Sequence, residues 1–378
     1  MFASSMYSYT VDCDDVTLSF MVLPYLSTSF RSARVEEIAV GHQWTEGPLF
    51  IEDDSSSLNY LIFSDTKENR ILRWEEGKGL FTVGESIFME NSGCSRTNQL
   101  CQEQILEPGS NGLVRVQSFD QSAAINLIAA QHGERSVTLL FDNGTRVPIA
   151  SHYDGKRLNS PNDLVWSDLG HLYFTDPVYG LVGKDLIGHP GMKTVENQHE
   201  QPKGKELDHS GVYMVKSNDI VEAINKRKPS EKVHLMDASM TTPNGLAFNP
   251  RFSRLYVVDS VPAVIKVFEV HPDDGSLSNA RIFYNSSETK NRKWEFLDGI
   301  KVDSNGNVYV AASGYGVLIL DVTGSIIGTI KTEVQNSNLV ISPGGWIYIT
   351  AGSSVMRVRT LAKPAGLSQP PKGSIAPS

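Results

Sequence analysis

Six stretches of this chain follow one recipe, and each begins with a side-chain oxygen. They are Glu46-Gly-Pro-Leu-Phe, Asn111-Gly-Leu-Val, Asn162-Asp-Leu-Val-Trp, Asn244-Gly-Leu-Ala-Phe, Asp298-Gly-Ile-Lys-Val and Asn338-Leu-Val-Ile. Each leads into a short apolar strand, a polar turn and a second strand. Examples of the second strand are His171-Leu-Tyr-Phe-Thr-Asp176, Leu255-Tyr-Val-Val-Asp-Ser260, Asn307-Val-Tyr-Val-Ala-Ala312 and Trp346-Ile-Tyr-Ile-Thr350. A repeat of this size predicts a propeller. If the six units are blades around one axis, the leading residues meet at the same end of the channel. A ring of carboxylates and amides there supplies the oxygen ligands that a hard cation needs. The expected architecture is all-β: a six-bladed β-propeller with a central metal-binding channel.

The leading residues are separated by 65, 51, 82, 54 and 40 positions. A bare four-stranded blade takes about 40–45 residues, so the two longest intervals carry insertions. The first, residues 84–108, holds Cys94 and Cys101. The second, residues 183–209, is polar and unpatterned, and is expected to be a lid over the channel mouth. Its histidines, His189, His199 and His209, lack a ligand spacing and read as solvated loop residues. The propeller is expected over residues 35–360, with the alternation from Val35 forming the strand that closes the ring. Residues 1–34 read as an N-terminal extension outside the fold, either disordered or a targeting segment. Residues 361–378, rich in Pro, Gly and Ser, read as a disordered C-terminal tail.

Composition narrows the partners. A formal charge of -9 argues against nucleic acid, which favours a basic surface. The most apolar window, residues 16–30, is too short and too rich in Ser and Thr to span a membrane. A signal peptide begins with basic residues, whereas here Asp12, Asp14 and Asp15 come first and the first basic residue is Arg31. No membrane partner is expected. The compartment stays open, with a soluble cytoplasmic location expected ahead of secretion. The three cysteines, Cys13, Cys94 and Cys101, form no disulfide framework and no Cys-x-x-Cys. Cys94 and Cys101 either close a small ring or remain thiols, and an oxidising compartment favours the ring.

No Gly-x-Ser-x-Gly elbow, His-Glu-x-x-His, phosphate loop or dinucleotide fingerprint occurs. The ring of leading oxygens is therefore the main candidate site. Any single Asn-Gly is also an ordinary turn. Glu46-Gly-Pro fits that reading least, because glutamate is not a favoured turn residue.

Several stretches carry a family resemblance: Glu46-Gly-Pro, Glu107-Pro-Gly-Ser-Asn-Gly-Leu113, Tyr153-Asp-Gly-Lys-Arg-Leu-Asn-Ser-Pro-Asn-Asp163, Leu172-Tyr-Phe-Thr-Asp-Pro177, Pro243-Asn-Gly-Leu246 and Leu297-Asp-Gly-Ile-Lys-Val-Asp303. Over roughly residues 40–360 the chain resembles the senescence-marker/regucalcin, gluconolactonase and luciferin-regenerating-enzyme family, most of all its gluconolactonase branch. The resemblance implies a six-bladed propeller with one divalent metal on the axis, calcium first, with zinc, manganese or magnesium as alternatives. It implies Glu46, Asn162, Asn244 and Asp298 as metal ligands, with Asn338 structural. It also implies a hydrolase: a metal-dependent lactonase acting on a small-molecule sugar lactone such as gluconolactone. Asp298 is the expected general base. Asn111, His132, Tyr179 and Arg157 are the expected substrate contacts. The alternatives are a phosphotriesterase or other esterase on the same site, and a non-catalytic calcium-binding propeller.

Overall fold

The computed structural model describes residues 7–13, 16–22, 34–52, 59–75, 77–78, 81–82, 87–95, 97–98, 101, 105–116, 126–141, 143–181, 204–288, 296–312, 316–332, 334–367 and 369–375. Six sheets, each with a four-stranded antiparallel core, form the blades of a six-bladed propeller. The innermost strands of blades 1 to 6 are Thr45–Ile51, Ser110–Val116, Leu164–Trp166, Pro243–Phe248, Leu297–Val302 and Asn338–Ile341. Each packs beside the next, and the last returns to the first. The second strands are Tyr60–Asp65, Asn126–Gln131, Leu172–Asp176, Arg254–Asp259, Val308–Ala312 and Trp346–Ala351. Val35–Val40 pairs antiparallel with Ser354–Arg359 and supplies the outer strand of blade 6. The ring is thus closed by chain from both ends, which removes an open sheet edge.

Blade packing explains why these strands read as nearly continuous apolar runs. A strand's side chains alternate between its two faces, and each blade face meets another blade. In blade 1, Tyr60 and Ile62 enter the cluster shared with blade 2, while Leu61 and Phe63 enter the cluster shared with blade 6. Six such clusters occupy the six blade interfaces. Truncating a fully buried aromatic such as Phe174 to alanine would cost about 3–5 kcal/mol. The helix Ser217–Lys226 lies between the third and fourth strands of blade 3 and buries Ile220 and Ala223 in the blade 2–3 cluster. No helix among the described residues is long and apolar enough to cross a membrane.

Both chain ends differ from expectation. Tyr7–Cys13 and Val16–Val22 form a hairpin that extends blade 5, pairing Ser19 with Thr329 and Phe20 with Gly328. An outermost blade strand keeps one free hydrogen-bonding edge, and the hairpin takes it. Residues 361–367 and 369–375 run across the propeller instead of leaving it. The N–H of Ala365 donates to the Val302 carbonyl at 3.0 Å, and Leu367 bridges to Trp166. Ala362 and Ile375 are buried. A Pro- and Gly-rich segment cannot form a helix or a central strand, yet it can lie extended over an apolar opening. The first insertion is in part ordinary blade, because Ile87–Glu90 is the fourth strand of blade 1. Within it Cys94 and Cys101 are joined in a disulfide, with Cα atoms 5.9 Å apart. Most of the second insertion, with His189 and His199, lies outside the described residues. His209 is described, and its ring contacts Asp208 and Tyr213.

Candidate active site

The leading residues all enter at one end of the channel, each at or beside the start of an innermost strand. Glu46, Asn111, Asn244 and Asp298 are second in their strands, Asn338 is first, and Asn162 lies two residues before Leu164. All six are buried. In blades 1, 4 and 5 the register shifts within the dipeptide region, between Glu46 and Leu49, Pro243 and Leu246, and Leu297 and Ile300. Such bulges re-aim a side chain locally.

The glycines that follow the leading residues do not serve as hairpin turns, since they lie within the innermost strands. They serve close approach. A Cβ on Gly47 would lie 2.0 Å from the Asn111 carbonyl oxygen, and one on Gly245 2.7 Å from the Asp298 carbonyl oxygen. One on Gly112 would lie 2.6 Å from Asp163 Oδ1, and one on Gly299 2.2 Å from Asn338 Oδ1. At the axis the strands nearly touch, so blades 1, 2, 4 and 5 each leave space for the next blade's polar residue.

Aspartates ending three second strands hold the entry loops in place. Asp65 accepts from the N–H groups of Gln43 and Trp44, both at 3.0 Å. Asp176 accepts from Asn159 and Ser160 at 2.7 and 2.8 Å, and Asp259 from Thr241 and Thr242 at 3.0 and 2.7 Å. Sequence reading passed over these three, although the recurrence of Ser64-Asp65, Thr175-Asp176 and Val258-Asp259 could have marked them.

Asn111, Asn162, Tyr179, Asn244 and Asp298 line one cavity of about 250 Å³, together with Trp44, Lys67, Glu107 and Thr242. Glu46 is buried close by, near enough that its charge acts on Asp298. Burial pushes the Glu46 carboxyl up to about 8. Burial, and then the facing charge of Glu46, pushes Asp298 well above the usual carboxylate range. Neither carboxylate forms an ion pair among the described residues. The Tyr179 hydroxyl faces Ser260, Thr242 and Asn244, and burial raises its pKa. Below this level a polar network crosses the channel. Lys301 Nζ donates to Asn338 Oδ1 at 3.2 Å and lies 3.7 Å from Asp163 Oδ2. Asn338, expected to be structural, also lies near enough to Glu46 to lower its pKa.

Two residues expected on the substrate stand elsewhere. His132 is fully buried behind Asn162, with Nε2 at 3.5 Å from Asn162 Nδ2. Arg157 is not among the residues that line the cavity: its backbone N–H donates to Glu206 at 2.8 Å and its guanidinium to the Glu134 carbonyl at 3.2 Å. The loop preceding Asn111 supplies a cavity residue that sequence reading did not single out. Glu107 is a third carboxylate there, and its charge acts on both Glu46 and Asp298.

The donor set can be tested against a cation. Among the described residues no cluster of three or more His, Cys, Asp and Glu side chains is placed to hold a metal. Glu46 and Asp298 supply two carboxylates, so amide oxygens from Asn162 and Asn244 must complete a ligand set. Ionising two buried, facing carboxyls without a basic partner is costly, and a divalent ion would offset that cost. Asn111 Oδ1 is buried with no hydrogen-bond partner among the described residues. All these donors are hard oxygens, and the residues fit a hard cation.

Fold and site together define a class: a six-bladed propeller with a buried oxygen-donor ring at one channel mouth. The family model described as the SMP-30/Gluconolactonase/LRE-like region matches residues 44–352, and the chain belongs to that family. A gluconolactonase of Zymomonas mobilis is 30% identical over 342 residues, covering 87% of this chain and 82% of the relative. Among solved structures, a gluconolactonase from Xanthomonas campestris superposes with a TM-score of 0.66 at 24% identity, covering 95% of this chain and 99% of that one. A calcium-binding protein, regucalcin, from Agrobacterium tumefaciens superposes at 0.55 with 15% identity, covering 88% and 97%. These two structural likenesses concern the fold.

Proposed function

We propose that this protein is a metal-dependent lactonase that hydrolyses a sugar lactone such as gluconolactone, with calcium as the first choice of ion. The observation that carries the reading is the buried Glu46 and Asp298 pair, flanked by the Asn162 and Asn244 amides at a cavity mouth. The names of the gluconolactonase and lactonohydrolase relatives support the substrate class. Glu46, Asn162, Asn244 and Asp298 would hold the ion. When bound, it supplies Lewis-acid polarisation of the lactone carbonyl.

The chain's own groups divide the remaining work. Asn111 Oδ1, free of protein partners among the described residues, accepts a sugar hydroxyl. Tyr179 sits across the cavity as a second polar contact. Asp298, on the cavity wall, orients the attacking water and accepts its proton at a carboxylate oxygen. Burial excludes competing water from the carboxylates and strengthens their interactions.

Acid release from glucono-δ-lactone by the metal-stripped protein, with and without added calcium, zinc, manganese or magnesium, tests this reading. Metal-restored turnover above the spontaneous rate supports it. Ion binding without lactone turnover, with hydrolysis of a phosphotriester or another ester, moves the reading to an esterase. Ion binding with no hydrolysis at all leaves a calcium-binding propeller.

A further inference from the structure

Two amides of the ring each have a side-chain partner facing the NH2 half. Asn244 Nδ2 donates to Ser260 Oγ at 3.0 Å, and Asn162 Nδ2 faces His132 Nε2 at 3.5 Å. In both cases the NH2 half of the amide is engaged, which leaves the carbonyl oxygen for another partner. Each partner directly follows a second strand, but Ser260 shares blade 4 with Asn244, whereas His132 of blade 2 reaches across to Asn162 of blade 3. Ser260 follows the second strand of blade 4, Arg254–Asp259, and His132 follows the second strand of blade 2, Asn126–Gln131.

His132 has little freedom. A Cβ on Gly133 would lie 2.3 Å from Cys94 Sγ and 2.5 Å from Cys101 Sγ, so the disulfide packs directly under the His132-Gly133 turn. On another side, a Cβ on Gly180 would lie 2.5 Å from the Cβ of His132. The second ring nitrogen, Nδ1, lies 3.5 Å from Glu107 Oε2. Nδ1 makes no hydrogen bond among the described residues, and an unprotonated Nε2 is an acceptor. Only an acceptor can receive the Asn162 NH2 group.

We propose that His132 is a positioning residue that fixes the amide of Asn162, so that Asn162 Oδ1 is presented for cation binding. This rests on the metal reading above. Ligand-orienting partners of this kind are worth about 10–100-fold in metal affinity. His132 therefore acts on the site without touching substrate.

The test is calorimetric titration of calcium into metal-stripped full-length protein. His132→Phe is expected to weaken binding by about 10-fold or more. His132→Gln, whose side-chain oxygen can accept from Asn162 while its NH2 faces Glu107, is expected to restore most of that loss. Asn162→Ala is expected to bind as weakly as His132→Phe, with no further loss when the two are combined. Saturating calcium should return lactone turnover in His132→Phe toward the wild-type value. If thermal melting shows that His132→Phe does not fold, His132→Asn, polar but too short to reach Asn162, takes its place. Unchanged calcium affinity in the variant, or additive losses with Asn162→Ala, overturns the positioning role alone. Absence of calcium binding by the wild type overturns the metal reading and this proposal with it.

Discussion

The two ends of the central channel are built from the same six strands and carry different residues. Where the innermost strands begin, they present Glu46, Asn111, Asn244, Asp298 and Asn338, with Asn162 just ahead of its strand, around a polar cavity. Toward their far ends they present Phe50, Val165, Phe248, Val302 and Ile341, with the charged Glu52 and Arg115, around a second cavity of about 220 Å³. Pro364, Gly366 and Leu367 of the C-terminal segment line this second cavity. Because the innermost strands all run in one direction along the axis, position within a strand becomes depth in the channel. One repeat can therefore place reactive groups at one end and leave the other to be sealed. Lys301, Asp163 and Asn338 mark the boundary between the two.

The comparison predicts that the two ends can be damaged separately. Asp298→Asn should lower lactone turnover by about 100-fold or more through loss of the proton acceptor, while circular dichroism and thermal melting show an intact fold. Near-normal turnover in this variant would remove Asp298 from the chemistry. Gly299→Ala forces a methyl group against Asn338 and should destabilise the protein by about 2–3 kcal/mol in urea unfolding. A neutral result would mean that the axis is looser than the strand spacing indicates.

The polar end should also give the metal-free protein a distinctive pH dependence. The Glu46 carboxyl is raised from 4.5 to about 8, so across that window the folded state binds more protons than the unfolded state. Stability of the metal-free protein should therefore fall as pH rises through the window, and calcium should flatten the slope. A metal-free Tm that climbs between those limits would contradict the buried-carboxylate picture. The smallest effect on turnover is expected at the other end. Deleting residues 363–378 removes the buried Ile375 and should cost about 2–3 kcal/mol, with turnover unchanged under conditions where the shortened chain is folded. Loss of turnover in a folded deletion variant would show that the two ends are coupled.

Much of this was legible before the structure, for a physical reason. Alternation, turn residues and repeat length are local properties, and the six leading oxygens are visible because symmetry repeats them along the chain. Asp65, Asp176 and Asp259 were legible in the same way, as a residue recurring at the end of the second strand. The role of the glycines was not. Asn-Gly has one meaning in a hairpin and another where neighbouring strands nearly touch, and only the neighbouring blade distinguishes them. Arg157 shows the same limit. It precedes Asn162 by five positions, yet the hairpin formed by His152–Tyr153 and Lys156–Arg157 turns it toward Glu206.

The sequence by itself determined the all-β class, the blade count and the set of oxygen-bearing residues that converge on the axis. These follow from periodicity, which a chain carries along its length. Tertiary structure alone decided that His132 stands behind Asn162, that Glu107 faces the cavity, that the Cys94–Cys101 pair lies beneath Gly133, and that residues 361–367 and 369–375 lie across the other opening. Each of these depends on contacts between segments far apart in the chain, and such contacts leave no periodic trace in the order of residues.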